Sequence, residues 1–153
     1  MKKAVLDIGS NSVKYILAEV GPHQTLEVIE DESETTRLAV GVERTGALTP
    51  ESMRLTVEMA NKSLQHARQA GAKRILAFAT SAVRDAKNRE DFQKTFKRQT
   101  GQELVILTGR QEAALVFGGV VSDPEFSQGE LVVLDVGGGS AEWILGIHGK
   151  MIK

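Results

Sequence analysis

Residues 134–145 read LDVGGGSAEWIL, and residues 6–17 read LDIGSNSVKYIL. Set one above the other, leucine, aspartate, glycine, serine, isoleucine and leucine recur at matching offsets. Ile8 falls opposite Val136, and Tyr15 opposite Trp143. Each copy reads as a short apolar strand, a tight turn and a returning strand. A strand–glycine–strand pattern arises easily by chance. An aspartate, a serine and an aromatic in the same register do not, and an internal repeat takes precedence over any single motif. The sequence therefore predicts a duplicated β-hairpin, one copy towards each end of the chain.

The chemistry of each copy is the same. A carboxylate stands at a strand end (Asp7, Asp135), followed by a glycine-containing turn with a hydroxyl. Exposed backbone N–H groups in such a turn form a concave anion site, and glycine lets the backbone approach phosphate oxygens with no Cβ in the way. An aspartate beside that site repels a bare phosphate. It is useful if a divalent cation lies between them, because Mg²⁺ is commonly held by one or two carboxylates plus substrate phosphates. Two facing copies would make a phosphate–metal clamp. One copy alone reads more readily as an ordinary hairpin whose glycines serve turn geometry; the repeat favours the clamp.

Composition narrows the class. The chain has 153 residues, 41% hydrophobic and 25% charged, which suits one ordinary domain with a normal core. Its 19 basic and 20 acidic residues leave a net charge of −1. That balance argues against a nucleic-acid or membrane-surface binder. With no cysteine, disulfides and thiolate-ligated metals are excluded. The opening MKKAVLDIGS has an apolar run broken at Asp7, too short for a signal peptide, and no stretch reaches membrane-span length. A soluble cytoplasmic protein is expected.

Between the hairpins the pattern alternates. Residues 25–40 offer a third strand. LTPESMRLTVEMANKSLQHARQAG (48–71) is a helix, with Thr49 as N-cap, Pro50 at the first position and Gly71 as the stop. Met53, Val57, Ala60, Leu64 and Ala67 mark its apolar face. KRILAFAT (73–80) and ELVILTG (103–109) read as buried strands. NREDFQKTFKRQTG (88–101) reads as a helix with Asn88 as its cap and Gly101 as its stop. RQEAALVFGGVVS (110–122) is helical, although its glycines and valines weaken it. His148–Gly149 suggests a last turn. This order predicts a layered α/β fold with a mixed β-sheet flanked by helices.

The hairpin motifs resemble the two phosphate motifs of the acetate and sugar kinase, heat-shock chaperone and actin superfamily. More narrowly, RLAVGVERTGALTPESM (37–53), AFATSAVRDAKN (77–88) and ILTGRQEAALVFGGV (106–120) make the whole chain similar to the exopolyphosphatase / guanosine pentaphosphate phosphatase (Ppx/GppA) family. The resemblance implies two ribonuclease H-like (actin-like ATPase) domains: a first over 1–120, and the opening strands of a second over 121–153. It implies that Asp7 and Asp135 hold Mg²⁺. Gly9, Ser10, Asn11, Gly137, Gly138, Gly139 and Ser140 would grip substrate phosphates. Glu112 would be the general base on the attacking water, and Arg84 a phosphate contact. By residue pattern alone, Glu112 is more often a solvated charge on a helix, and Arg84 a surface ion pair with Asp85 or Glu90. Thr80 and Ser81 would help shape the loop. The histidines (His23, His66, His148) share no ligand spacing and read as surface residues. Two departures stand out: Ala141 replaces a usual threonine, and Gln111 a common glutamate.

The implied activity is Mg²⁺-dependent release of terminal phosphate from inorganic polyphosphate or guanosine pentaphosphate. The alternative is a phosphate- or nucleotide-binding module without turnover; a kinase of the same superfamily fits the middle motifs less well. Family members are about twice this length. Strands after residue 121 would lack their usual companions, and a lone two-stranded hairpin is marginal in water. The expectation is that the chain is part of a longer protein or pairs that hairpin with a second copy, as a homodimer.

Overall fold

The computed structural model describes residues 1–22 and 25–152, so His23 lies outside the described residues. It divides into two compact units, Met1–Ile106 and Leu107–Lys153.

The first unit is built on a five-stranded sheet. Strands β1 (Lys2–Ile8) and β2 (Ser12–Val20) form the first hairpin, and β3 (Leu26–Thr35) continues it. Strand β4 (Arg74–Ala79) and the two-residue β5 (Val105–Ile106) follow after helical crossovers. The spatial order is β3-β2-β1-β4-β5, antiparallel on the β2 side and parallel from β1 to β5, a mixed sheet as expected. Side chains alternate across a strand, and here one face is buried: Ala4, Leu6 and Ile8 of β1, Val13, Tyr15 and Leu17 of β2, Ala77 and Ala79 of β4. Helix α2 (Pro50–Gln69) covers it through Val57, Ala60, Leu64 and Ala67. Helix α4 (Arg89–Thr100) adds Phe92 and Phe96. Two short helices, α1 (Val42–Thr45) and α3 (Ser81–Arg84), complete the connections; neither pattern was visible in the sequence.

Helix ends follow the sequence with one exception. Thr49 Oγ1 accepts from Ser52 N, Pro50 opens α2, and Gly101 closes α4 in the left-handed region at φ 70°. Asn88, in contrast, makes no cap bond to α4. Its side chain instead takes the N–H of Leu48 and donates to the Leu48 carbonyl, both at 2.9 Å. An amide that mimics a strand edge is better satisfied by a backbone pair than by one helix-end N–H. The stretch 103–109 forms only the short β5, not a full buried strand. Strand β3 is exposed along most of its length and carries Glu27, Glu30, Asp31, Glu32 and Glu34, which suits an edge.

Tyr15 is 1% exposed and stands edge-on to His66, ring centroids 6.3 Å apart. Burial, reinforced by the negative charges of Glu30 and Glu32, pushes its phenol up to about 12 from 10.0. A raised acid pKa favours the neutral form in the fold. The stabilisation is therefore complete below pH 10 and is lost as pH rises through 12. Tyr15 is the single tyrosine, so phenolate absorbance reports it alone. The expected midpoint is about 12 in the folded chain and close to 10 in denaturant. A folded-state midpoint near 10 would mean that water reaches the ring.

The second unit contains α5 (Gly109–Val121), a 3₁₀ turn at Pro124–Phe126, and a sheet of β6 (Glu130–Val136), β7 (Ala141–Ile147) and β8 (Lys150–Met151) in that order. The break between units falls after Ile106, so α5 stands with the second unit. The reason is packing. Phe117, the buried residue of α5, lies against Gly146 of β7, beside fully buried Ile144. The hairpin is thus not alone: α5 covers one face and β8 adds a third strand. The positive φ of His148 and Gly149 makes the β7–β8 turn.

The repeat survives in the backbone. Asp7 pairs with Lys14 and Leu6 with Tyr15; Asp135 pairs with Glu142 and Leu134 with Trp143. The two copies nevertheless bury opposite faces. Positions equivalent to buried Leu6, Tyr15 and Leu17 are Leu134, Trp143 and Leu145, all exposed, Trp143 at 71%. With Val132, Val136 and Ile147 they form an open apolar sheet face, a type of surface that marks contact with other polypeptide.

Candidate active site

The first half-site is the turn after β1. Asp7 is the penultimate residue of that strand, on the face opposite buried Leu6 and Ile8, and its Oδ1 is shielded from solvent. Gly9 N–H donates to Ser12 O at 3.0 Å and closes the turn; a Cβ on Gly9 would lie 3.2 Å from that oxygen. The loop carbonyls are taken from behind. Asn11 O accepts from Thr36 N and Arg37 N, and Ser10 O from Ala39 N, at 2.8–2.9 Å. Arg37 adopts φ 51° to make its bond, an uncommon conformation for a side chain of its size. Among the described residues, the N–H groups of Ser10 and Asn11 have no acceptor within the chain. With the carbonyls fixed, those two donors have the chemistry of a concave anion site.

The second half-site repeats this. Asp135 is the penultimate residue of β6, and Gly137 N–H donates to Ser140 O at 2.9 Å, the counterpart of the Gly9–Ser12 bond. Gly138 and Gly139 are exposed, and among the described residues their N–H groups also lack an acceptor within the chain. Ala141, at the start of β7, is exposed and opposite Val136, so the position after Ser140 adds no second hydroxyl.

Arg84 ends α3, which springs directly from β4, and its side chain is 21% exposed. Nε lies 3.5 Å from Asp85 Oδ1, the ion pair that the residue pattern suggested. Such a pair with an exposed carboxylate is weak. Ser10 behaves differently from expectation. It is 6% exposed, and its Oγ is 3.0 Å from Ser81 Oγ, so this hydroxyl bonds inwards while the backbone N–H faces the turn.

Glu112 is half-buried in the first turn of α5, its N–H bonded to Thr108 O at 2.9 Å. The neighbouring departure, Gln111, has a clear role. Thr108 Oγ1 accepts from Gln111 N, and Gln111 Oε1 accepts from Thr108 N at 2.9 Å, a complete capping box. Glutamine performs this as well as glutamate. The T-x-x-Q spacing was the signal available in the sequence for it. His66 pairs with Glu30 at 2.9 Å, and His148 Nδ1 accepts from Gly129 N at 3.3 Å. Among the described residues, no group of three acidic or histidine side chains is placed to hold a metal ion. Each of the two turns pairs one aspartate with nearby backbone N–H donors, chemistry that suits Mg²⁺ bound jointly with phosphate and water more than an all-protein cage.

The mixed sheet order with its crossover helices defines a ribonuclease H-like fold of the actin-like kind. The profile of the Ppx/GppA phosphatase family matches residues 5–153, and the chain belongs to that family. It is 35% identical over 149 residues to "Exopolyphosphatase 1" of Mycobacterium tuberculosis, covering 96% of this chain and 43% of that protein. It is 33% identical over 153 residues to "Exopolyphosphatase 2" of the same species, covering 95% of this chain and 48% of the relative. Among solved structures, the Ppx/GppA family member of Aquifex aeolicus superposes with a TM-score of 0.89 at 31% identity, over 100% of this chain and 49% of the other. An exopolyphosphatase of Cytophaga hutchinsonii shares the fold with a TM-score of 0.93 at 23% identity. The chain thus spans about half the length of the relatives it matches. Among the described residues, no helix is long and apolar enough to cross a membrane.

Proposed function

We propose that the protein is a Mg²⁺-dependent phosphohydrolase of the exopolyphosphatase type, releasing terminal phosphate from inorganic polyphosphate or guanosine pentaphosphate. The observation that carries this reading is the twice-built turn: one carboxylate, one closing glycine bond and two unused N–H donors, in the same register in both copies. The N–H groups of Ser10, Asn11, Gly138 and Gly139 take phosphate oxygens, and Arg84 offsets charge that builds up in the transition state. Asp7 and Asp135 would hold Mg²⁺, which would supply charge neutralisation when bound. Glu112 orients a water and accepts its proton as oxygen attacks the terminal phosphorus. The bond from phosphorus to the bridging oxygen breaks, and the shortened phosphate leaves with that oxygen. Positioning and electrostatics supply most of such a reaction.

The test is phosphate release from long-chain polyphosphate and from guanosine pentaphosphate, with Mg²⁺ and with chelator. Release from at least one, abolished by chelator, is expected. Uptake of tripolyphosphate without release would favour a binding module. Neither uptake nor release would overturn the reading.

A further inference from the structure

The hydrogen bond between Ser10 Oγ and Ser81 Oγ, 3.0 Å long, joins the two segments of the first unit that carry phosphate-binding groups. Ser10 lies in the turn after β1. Ser81 opens α3, the four-residue helix whose last residue is Arg84. Both serines are nearly buried, at 6% and 5% exposure, and their near neighbours in sequence Ile8, Ala79, Ala82 and Val83 are buried as well. Each is the side-chain partner of the other. A second tie runs parallel: Thr80 N–H donates to Ile8 O at 3.2 Å. From there the path to Arg84 is rigid, because Arg84 N–H bonds to Thr80 O at 2.9 Å and Asp85 N–H to Ser81 O at 2.9 Å.

We propose that Ser81 is a positioning residue: through its bond to Ser10 it latches the phosphate turn to α3 and so sets where the Arg84 guanidinium meets substrate. This rests on the phosphohydrolase reading and extends it. Apolar packing alone would hold α3 against the sheet. It would not fix rotation of a four-residue helix about its axis, which a directional bond at its first residue does. Two hydroxyls turned towards each other in apolar surroundings are a costly way to fill space. Alanine at either position would pack as well, and the bond explains why hydroxyls stand at both.

The test is a set of variants of the full chain, read by calorimetric binding of tripolyphosphate in Mg²⁺ and by melting temperature. Ser81→Ala is expected to weaken binding about tenfold, the scale of one misplaced charge-assisted contact. In an Arg84→Ala background, adding Ser81→Ala should change binding less than about twofold, because the group it positions is gone. The melting temperature should fall in both backgrounds, so loss of stability cannot imitate the pattern. Ser10→Ala should reproduce Ser81→Ala, and the double variant should bind no worse than either single one. Equal weakening in both backgrounds, or unchanged binding by Ser81→Ala, would overturn the latch while leaving the phosphohydrolase reading intact. A wild-type chain that binds no tripolyphosphate would overturn both.

Discussion

Gly146→Ala is expected to destabilise the second unit by about 3 kcal/mol, the upper end of what overpacking costs. A Cβ at this position would lie 2.1 Å from Phe117 Cζ and 2.3 Å from Cε2, with Lys150 O at 3.2 Å on the other side. Neither neighbour yields cheaply. Lys150 O belongs to the backbone of β8, and Phe117 is 3% exposed, the buried anchor of α5. Pushing its ring aside would detach α5 from the one face of the hairpin that is covered. Urea unfolding followed by circular dichroism measures the loss. Phe117→Leu in the same chain should recover part of it by vacating the ring edge. The opposite sign is expected nearby: a Cβ on Gly118 or Gly119 of α5 meets nothing within 4 Å. Alanine there should stabilise the helix by about 1 kcal/mol, the ordinary propensity difference. A Gly146→Ala chain that unfolds like wild type would show that Phe117 does not pack where it is placed.

These glycines mark the limit of sequence reading in this chain. Gly118, Gly119 and Gly146 are the same letter, yet only one is required by close approach, and tertiary packing decides which. The elements whose cause is local were legible: the duplicated hairpin, α2 with its Thr49–Pro50 start, and the Gly101 stop. Asn88 was misread because a cap and a bond to a distant backbone pair use the same amide, and the residue it meets is forty positions away. Helix α5 stands with the second unit through Phe117 on Gly146, a contact that no linker or local pattern announces. At the candidate site, the aspartates, the glycine turns, Arg84 and Glu112 could be singled out through the repeat and the family motifs. The inward turn of the Ser10 hydroxyl could not, since it depends on Ser81 being adjacent in space. Nor could the opposite burial of the two hairpin copies. Leu6-Tyr15 and Leu134-Trp143 are alike in sequence and register, and differ in whether a helix lies over them.

Glu112→Gln is expected to lower phosphate release by a factor of about 10²–10⁴ with little change in KM, the signature of a lost general base. The substitution is close to isosteric and keeps a hydrogen-bonding oxygen, so it removes proton acceptance more than shape. The α5 N-terminus is capped by Thr108 and Gln111, so Glu112 takes no part in the capping box. Its carboxylate in the first turn gains about 0.3–1 kcal/mol from the helix dipole, and the melting temperature of the variant is read beside its rate. Gln111→Ala supplies the converse. It breaks the capping box, costs about 1 kcal/mol of stability, and leaves the carboxylate in place. If Glu112 acts chemically, the first variant loses turnover well beyond any loss of stability, and the second loses stability with most turnover kept. Equal release by wild type and Glu112→Gln would remove Glu112 from the mechanism. Parallel losses of rate and stability in both variants would make α5 a support for the site and not a source of its base.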